Sequence, residues 1–135
     1  MSNKLREIEA LGQSIWIDNL NRQLLDEGTL GDLIEQDGIS GVTSNPTIFE
    51  KGMGHSDRYD DAFREVIADT TDVQAIFENL ALRDIRDGAD LLRPTFDATD
   101  GQDGFVSFEL PAALAFDAQA SIEKAVRLKE TIGKD

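Results

Sequence analysis

Asp18, Asn45 and Glu109 are the residues whose types and setting point to chemistry. A carboxylate takes or returns a proton, and a carboxamide donates and accepts hydrogen bonds from one rigid group. Asp18 and Asn45 follow short apolar or β-branched runs, Ser14 to Ile17 and Gly41 to Ser44, and Glu109 lies near the end of a third, Phe105 to Leu110, that stops beside Pro111. In a strand alternate side chains share a face. Trp16 therefore goes with Asp18, Gly41 and Thr43 with Asn45, and Phe105 and Ser107 with Glu109. If Ile15, Ile17, Val106, Phe108 and Leu110 face covering helices, the three polar groups converge on one pole of a parallel sheet or barrel. That pole, at the carboxyl ends of the strands, is where α/β enzymes place ligand and catalytic groups. Each residue also has a plainer role available. Asn45-Pro46 fits an Asx-type turn that caps a helix, and Asp18 fits a helix N-cap.

The elements needed to hold this arrangement can be followed along the chain. Residues 3–11 read as a short amphipathic helix through Leu5, Ile8 and Leu11, stopped by Gly12, that covers one end of the sheet. Between Leu20 and Gly38 the apolar spacing is helical and interrupted at Gly28, which predicts a broken crossover helix. Pro46 presets a first helical turn, and Gly52 and Gly54 end that helix. Ser56 reads as the N-cap of a helix carrying Tyr59, Phe63, Val66 and Ile67. Thr71 with Gln74 is a capping-box pattern opening a long helix through Ile76, Phe77, Leu80, Leu82, Ile85, Ala89, Leu92 and Phe96. Arg83, Asp84, Arg86, Asp87, Asp90 and Arg93 read as its solvated faces, and Pro94 is expected to kink or end it. A polar turn from Asp97 to Gly104 feeds the third strand. The final helix, Asp117 to Ile132, is expected to turn Ala118, Ile122, Ala125, Val126 and Ile132 inward and to stop at Gly133.

Ser14 to Leu20, Gly41 to Lys51 and Val106 to Glu109 resemble the first, second and third barrel strands of transaldolase. The likeness is nearest to the bacterial subfamily with a long segment between strands two and three, and it runs over nearly the whole chain. The resemblance implies an α/β fold, a partial (β/α)8 TIM barrel of about the first three βα units, with residues 1–135 as the amino-terminal part of one barrel domain. It also implies roles. Asp18 matches the acid/base aspartate, and Glu109 the glutamate that positions a catalytic water. Asn45 matches the asparagine that orients the substrate hydroxyls, and Thr43 lies in the same substrate-binding signature. No metal or organic cofactor is implied. After Glu109 the chain reads Pro111, Ala112, Ala113, Leu114, where relatives often carry an arginine and a histidine.

Transaldolases form a Schiff base through a lysine at the end of strand four. The five lysines, Lys4, Lys51, Lys124, Lys129 and Lys134, all fall in predicted surface helices, beyond the strand-two signature or near the terminus. None is expected to be that nucleophile, because a Schiff-base amine needs a water-poor pocket that keeps it neutral. A barrel of this type takes roughly 250 residues, so the expectation is the front part of a barrel, inactive alone. The alternatives are a related class I sugar-phosphate aldolase, or a non-catalytic α/β chain that self-associates through open sheet edges.

Composition narrows the partners. With 13 Lys and Arg against 27 Asp and Glu, the formal charge is −14, a field that repels nucleic acid and anionic membranes. The same field gives no long-range attraction to the sugar phosphates that the resemblance implies as partners, so binding their phosphate needs a local basic cluster. The chain has no cysteine, which excludes disulfides and Cys-ligated metals. His55 stands alone in a loop, and Asp60 and Asp61 read as helix-face charges, so neither completes a metal set. No export core is evident near Met1 and no run reaches membrane-spanning length, so a soluble cytoplasmic protein is expected.

Overall fold

The computed structural model of the protein describes residues 3–134. Helix α1 (Lys4–Glu9) is capped by the Asn3 side chain and followed by Gly12 at φ +88°. Arg6 donates to the carbonyls of Ile34 and Glu35, and Asn3 to the carbonyl of Gln36 and the carboxylate of Asp37, so α1 meets the turn that feeds the second strand. This is the amino end of the sheet, as expected of a covering helix.

Strand β1 (Trp16–Asp18) leads to α2 (Arg22–Asp26), α3 (Thr29–Asp32) and a π-helical turn (Leu33–Asp37). This is the broken crossover, interrupted at Gly28 and ended by Gly38. Strand β2 (Gly41–Ser44) passes through Asn45 into α4 (Pro46–Gly54). A single 3-10 turn (Asp57–Tyr59), capped by Ser56, opens α5 (Asp60–Asp69). The long helix α6 (Val73–Ala98) is capped by Asp72, whose carboxylate accepts from the Ala75 N–H. Asp72 thus takes the role that the capping-box pattern gave to Thr71, because a carboxylate nearer the helix complements its amino end better. Pro94 does not end α6, which runs on to Ala98. Its missing N–H concerns the carbonyl of Asp90, an exposed residue, so the lost bond falls on the solvent side of the helix.

Strand β3 (Phe105–Phe108) is shorter than the expected run to Leu110. A 3-10 turn (Ala112–Leu114) then leads to α7 (Ala118–Ile132). The three strands are parallel in the order β1-β2-β3. Trp16, Gly41 and Phe105 lie side by side, then Ile17, Val42 and Val106, then Asp18, Thr43 and Ser107.

Helices cover one face of this sheet. Val42, Leu20, Leu30, Phe49, Ala81, Ile85 and Leu92 form its buried core, with Ile17, Val106 and Phe108 packed against them. Phe49 meets Phe77 and Phe108 edge-to-face, each at 6.0 Å between centroids. A second cluster, Ala62, Val66 and Leu80, joins α5 to α6. Packed between the two clusters, α6 keeps Asp87, Asp90 and Arg93 exposed and Arg83 and Arg86 half-buried, as its charge pattern suggests, with one exception. Asp84, read from sequence as a surface charge, is completely buried.

Helix α7 also departs from expectation. Ile122 and Val126 are 60% and 53% exposed, Ala118 and Ala125 are exposed too, and the buried residue is Leu128. The face turned to α6 instead follows Ser121, Lys124, Leu128 and Ile132, spaced three to four residues apart. Polar ties fix that rotation: Lys124 pairs with Glu78 at 2.6 Å, and Arg86 donates to the carbonyls of Thr131 and Ile132. Apolar periodicity alone could not anticipate those ties, because their partners lie on α6.

Candidate functional site

The second face of the sheet stays open, and it carries the polar residues. Its lower row is Trp16, Gly41 and Phe105; its upper row, at the carboxyl ends, is Asp18, Thr43 and Ser107. The Trp16 ring lies flat across Gly41. A Cβ at position 41 would sit 2.2 Å from the indole, so only glycine leaves room. The indole N–H donates to Asp103 at 3.1 Å, which fixes the ring as a floor below the polar row.

In the upper row the Thr43 hydroxyl donates to Asp18 Oδ1 at 2.6 Å, the short separation of a charge-assisted O–H to carboxylate bond. Neighbouring strands lie about 4.8 Å apart, so Asp18 and Ser107 stand about 10 Å from each other with Thr43 between them. Asp18 and Ser107 are exposed and Thr43 half-buried.

Asn45 lies one residue past β2 and does cap α4: its Oδ1 accepts from the Ile48 N–H at 3.0 Å. The two readings of this residue are compatible. With the oxygen committed to the helix, the NH2 group points the other way, and no described residue accepts from it. Glu109 lies one residue past β3, exposed, where the strand pleat no longer dictates its direction. It lines a cleft of about 550 Å³ with Pro46, Phe77, Phe108, Ala112 and Leu128. The structure therefore joins Asp18 to Thr43 and sets Asn45 and Glu109 at the same pole, with no hydrogen bond from either to Asp18 among the described residues.

Ser107 was visible in the sequence only as a strand residue sharing a face with Glu109. Register shows that it completes the row with Asp18 and Thr43.

The lysines stand elsewhere. Lys4 pairs with Glu7, Lys124 with Glu78 and Lys134 with Asp90, while Lys51 and Lys129 are exposed on α4 and α7. None is on the strand face that carries Asp18. His55 is exposed, and its Nδ1 lies 2.9 Å from the Lys51 carbonyl.

A second polar cluster lies on the helix-covered side. Asp84 accepts from the Tyr59 hydroxyl at 2.6 Å and from Arg22 Nε at 2.6 Å, while the Tyr59 oxygen accepts the backbone N–H of Arg22 at 2.7 Å. Burial pushes the Asp84 carboxyl up by more than Tyr59 and Arg22 pull it down. Burial also raises the Tyr59 hydroxyl, and the Asp84 carboxylate raises it further. For Arg22, burial alone would lower the guanidinium, but Asp84 outweighs it and the net direction is up. The triad ties α2, the Asp57–Tyr59 turn and α6 together.

Parallel strands in chain order, helices on one face and polar residues at the carboxyl ends of the other define the opening of a βα-barrel. Comparison with known proteins specifies which one. The model of the family described as Transaldolase/Fructose-6-phosphate aldolase matches residues 15–135, and the chain belongs to that family. It is 42% identical over its full 135 residues to the transaldolase of Trichodesmium erythraeum, covering 36% of that protein. It is 43% identical over 126 residues to the transaldolase of Thiobacillus denitrificans, matching 93% of this chain and 35% of the relative. With the transaldolase of Acidothermus cellulolyticus identity is 44% over 125 residues, 93% of this chain and 34% of that protein. The chain spans about a third of the length of the curated relatives it matches.

Among the described residues, no helix is long and apolar enough to cross a membrane.

Proposed function

We propose that residues 1–135 supply the amino-terminal part of a single transaldolase barrel in the cytoplasm, and with it one side of a site that moves a dihydroxyacetone unit between sugar phosphates in the pentose phosphate pathway. The observation that carries this reading is the Asp18–Thr43 pair at the carboxyl end of two adjacent parallel strands, within a chain of this family. In the completed enzyme a lysine amine attacks the C2 carbonyl of a ketose phosphate such as sedoheptulose 7-phosphate or fructose 6-phosphate, and the carbinolamine loses water to give an imine. Asp18 takes the C4 hydroxyl proton as the C3–C4 bond breaks, and the electron pair is delocalised into the imine. The three-carbon unit then adds to an aldose phosphate, with proton flow reversed, and hydrolysis frees the lysine. Asn45 donates its NH2 to the bound unit, and Glu109 holds the water that relays protons. No metal or organic cofactor enters these steps.

None of the five lysines shares the strand face of Asp18, which supports the chain being inactive by itself. The test is to incubate the 135-residue chain with fructose 6-phosphate and borohydride and to weigh it intact. Mass should stay unchanged; a reduced adduct at one lysine would show that a nucleophile is present and sink the claim of inactivity. Transfer is preferred to simple aldol cleavage because the relatives compared above are named transaldolases. In the enzyme completed with the remaining two thirds of such a relative, release of free dihydroxyacetone without an acceptor at the transfer rate would reverse that preference. The unpaired outer edges of β1 and β3 favour self-association as a second reading, and light scattering at increasing concentration separates it from a monomer.

A further inference from the structure

We propose that Thr43 acts on Asp18 rather than on the sugar: its hydroxyl holds Oδ1 so that Oδ2 alone meets the reacting proton. The inference rests on Asp18 being the base, as proposed above. A threonine hydroxyl has one proton, and here it is committed to Asp18 at 2.6 Å. It therefore has none to give a substrate hydroxyl while that bond lasts. Asp18 is exposed, and no other described residue donates to it. Without Thr43 its carboxylate turns freely about a broad, roughly two-fold torsion, and either oxygen can swing away from the substrate. With Thr43 in place, both partners are rooted in adjacent strands at matched register, above the fixed Trp16 ring. Thr43 is thus a positioning residue, and its loss should slow the proton transfer while leaving ground-state binding nearly intact.

Two measurements test this. In the 135-residue chain, the side-chain carboxyl 13C resonance of Asp18 should move in Thr43→Val and return in Thr43→Ser, with amide resonances outside β1 and β2 unchanged. An unmoved Asp18 resonance in Thr43→Val would overturn the proposal. In the chain completed with the remaining two thirds of the Trichodesmium erythraeum transaldolase, Thr43→Val should lower kcat by about tenfold or more with KM within about twofold, and Thr43→Ser should recover most of the loss. A raised KM with kcat intact would mean that Thr43 binds the sugar, and the proposal falls. Asp18→Asn in the same enzyme separates the two levels. If it leaves kcat unchanged, the reading of Asp18 as base fails. If it abolishes turnover while Thr43→Val does not slow it, only the positioning role fails.

Discussion

Asp18 and Asp84 are both aspartates hydrogen-bonded to a hydroxyl, and the roles proposed for them are opposite. Asp18 sits in the open, held by one neutral donor on one oxygen, with the other free. Asp84 is sealed between α2, α6 and the Asp57–Tyr59 turn, with a guanidinium on one oxygen and a phenol on the other. A carboxylate that is to exchange protons must keep a vacant, accessible oxygen. One that is to fix helices must spend both, because a buried charge left unpaired is heavily penalised. Vacancy and saturation distinguish the two where residue type does not.

The sharpest way to break this contrast is to truncate Asp84. Asp84→Ala should cost about 3–5 kcal/mol, since it strands a buried guanidinium and phenol. Urea unfolding followed by circular dichroism measures it, and a loss below about 1 kcal/mol would mean that the cluster is not the tie described.

Tyr59→Phe should be milder, about 1–2 kcal/mol near neutral pH, because Arg22 still holds Asp84. Tyr59 is the only tyrosine in the chain, so tyrosinate absorbance reports it alone. With its hydroxyl raised in the fold, Tyr59 keeps its proton after the unfolded chain has lost it. The stability it contributes is complete below about pH 10 and drains away as pH climbs above that. Wild type should therefore lose more stability than Tyr59→Phe between neutral pH and alkaline pH, and equal losses would contradict the buried hydrogen bond.

The smallest effect belongs to Asp18. Asp18→Ala should change stability by no more than about 0.5 kcal/mol in the same urea assay. A loss of several kcal/mol would place Asp18 with Asp84 as a structural residue and remove the contrast.

The sequence showed the first of these aspartates and hid the second, for a physical reason. Asp18 ends a strand run, and period-two counting alone sends it to the Trp16 face. Asn45-Pro46 and the interruptions at Gly28 and Gly38 were equally readable, because caps and stops are set by residues within a turn of one another. Asp84 sits among Arg83, Arg86 and Asp87, a run that reads as solvent-facing, and its partners Arg22 and Tyr59 are distant in the chain. Only packing reveals that α5 covers one side of α6 while α2 and the sheet cover the other. The rotation of α7 escaped for the same reason: Leu128 is chosen over Ile122 and Val126 by ion pairs and carbonyl contacts made to α6. Local chemistry was legible, and long-range polar pairing was not.

The order of strands in the sheet also carries a consequence for how the protein is made. Because β1, β2 and β3 neighbour one another in the order they are synthesised, β2 finds its partner waiting as soon as it leaves the ribosome. For β3 the situation differs, since α4, α5 and α6 must emerge between Ser44 and Phe105 before it can add to the edge. Closing that longer excursion adds only a logarithmic entropy cost, so the burden falls on timing more than on final stability. During that interval β2 lacks its second neighbour, whereas Asp18 and Thr43 lie on the two strands synthesised first.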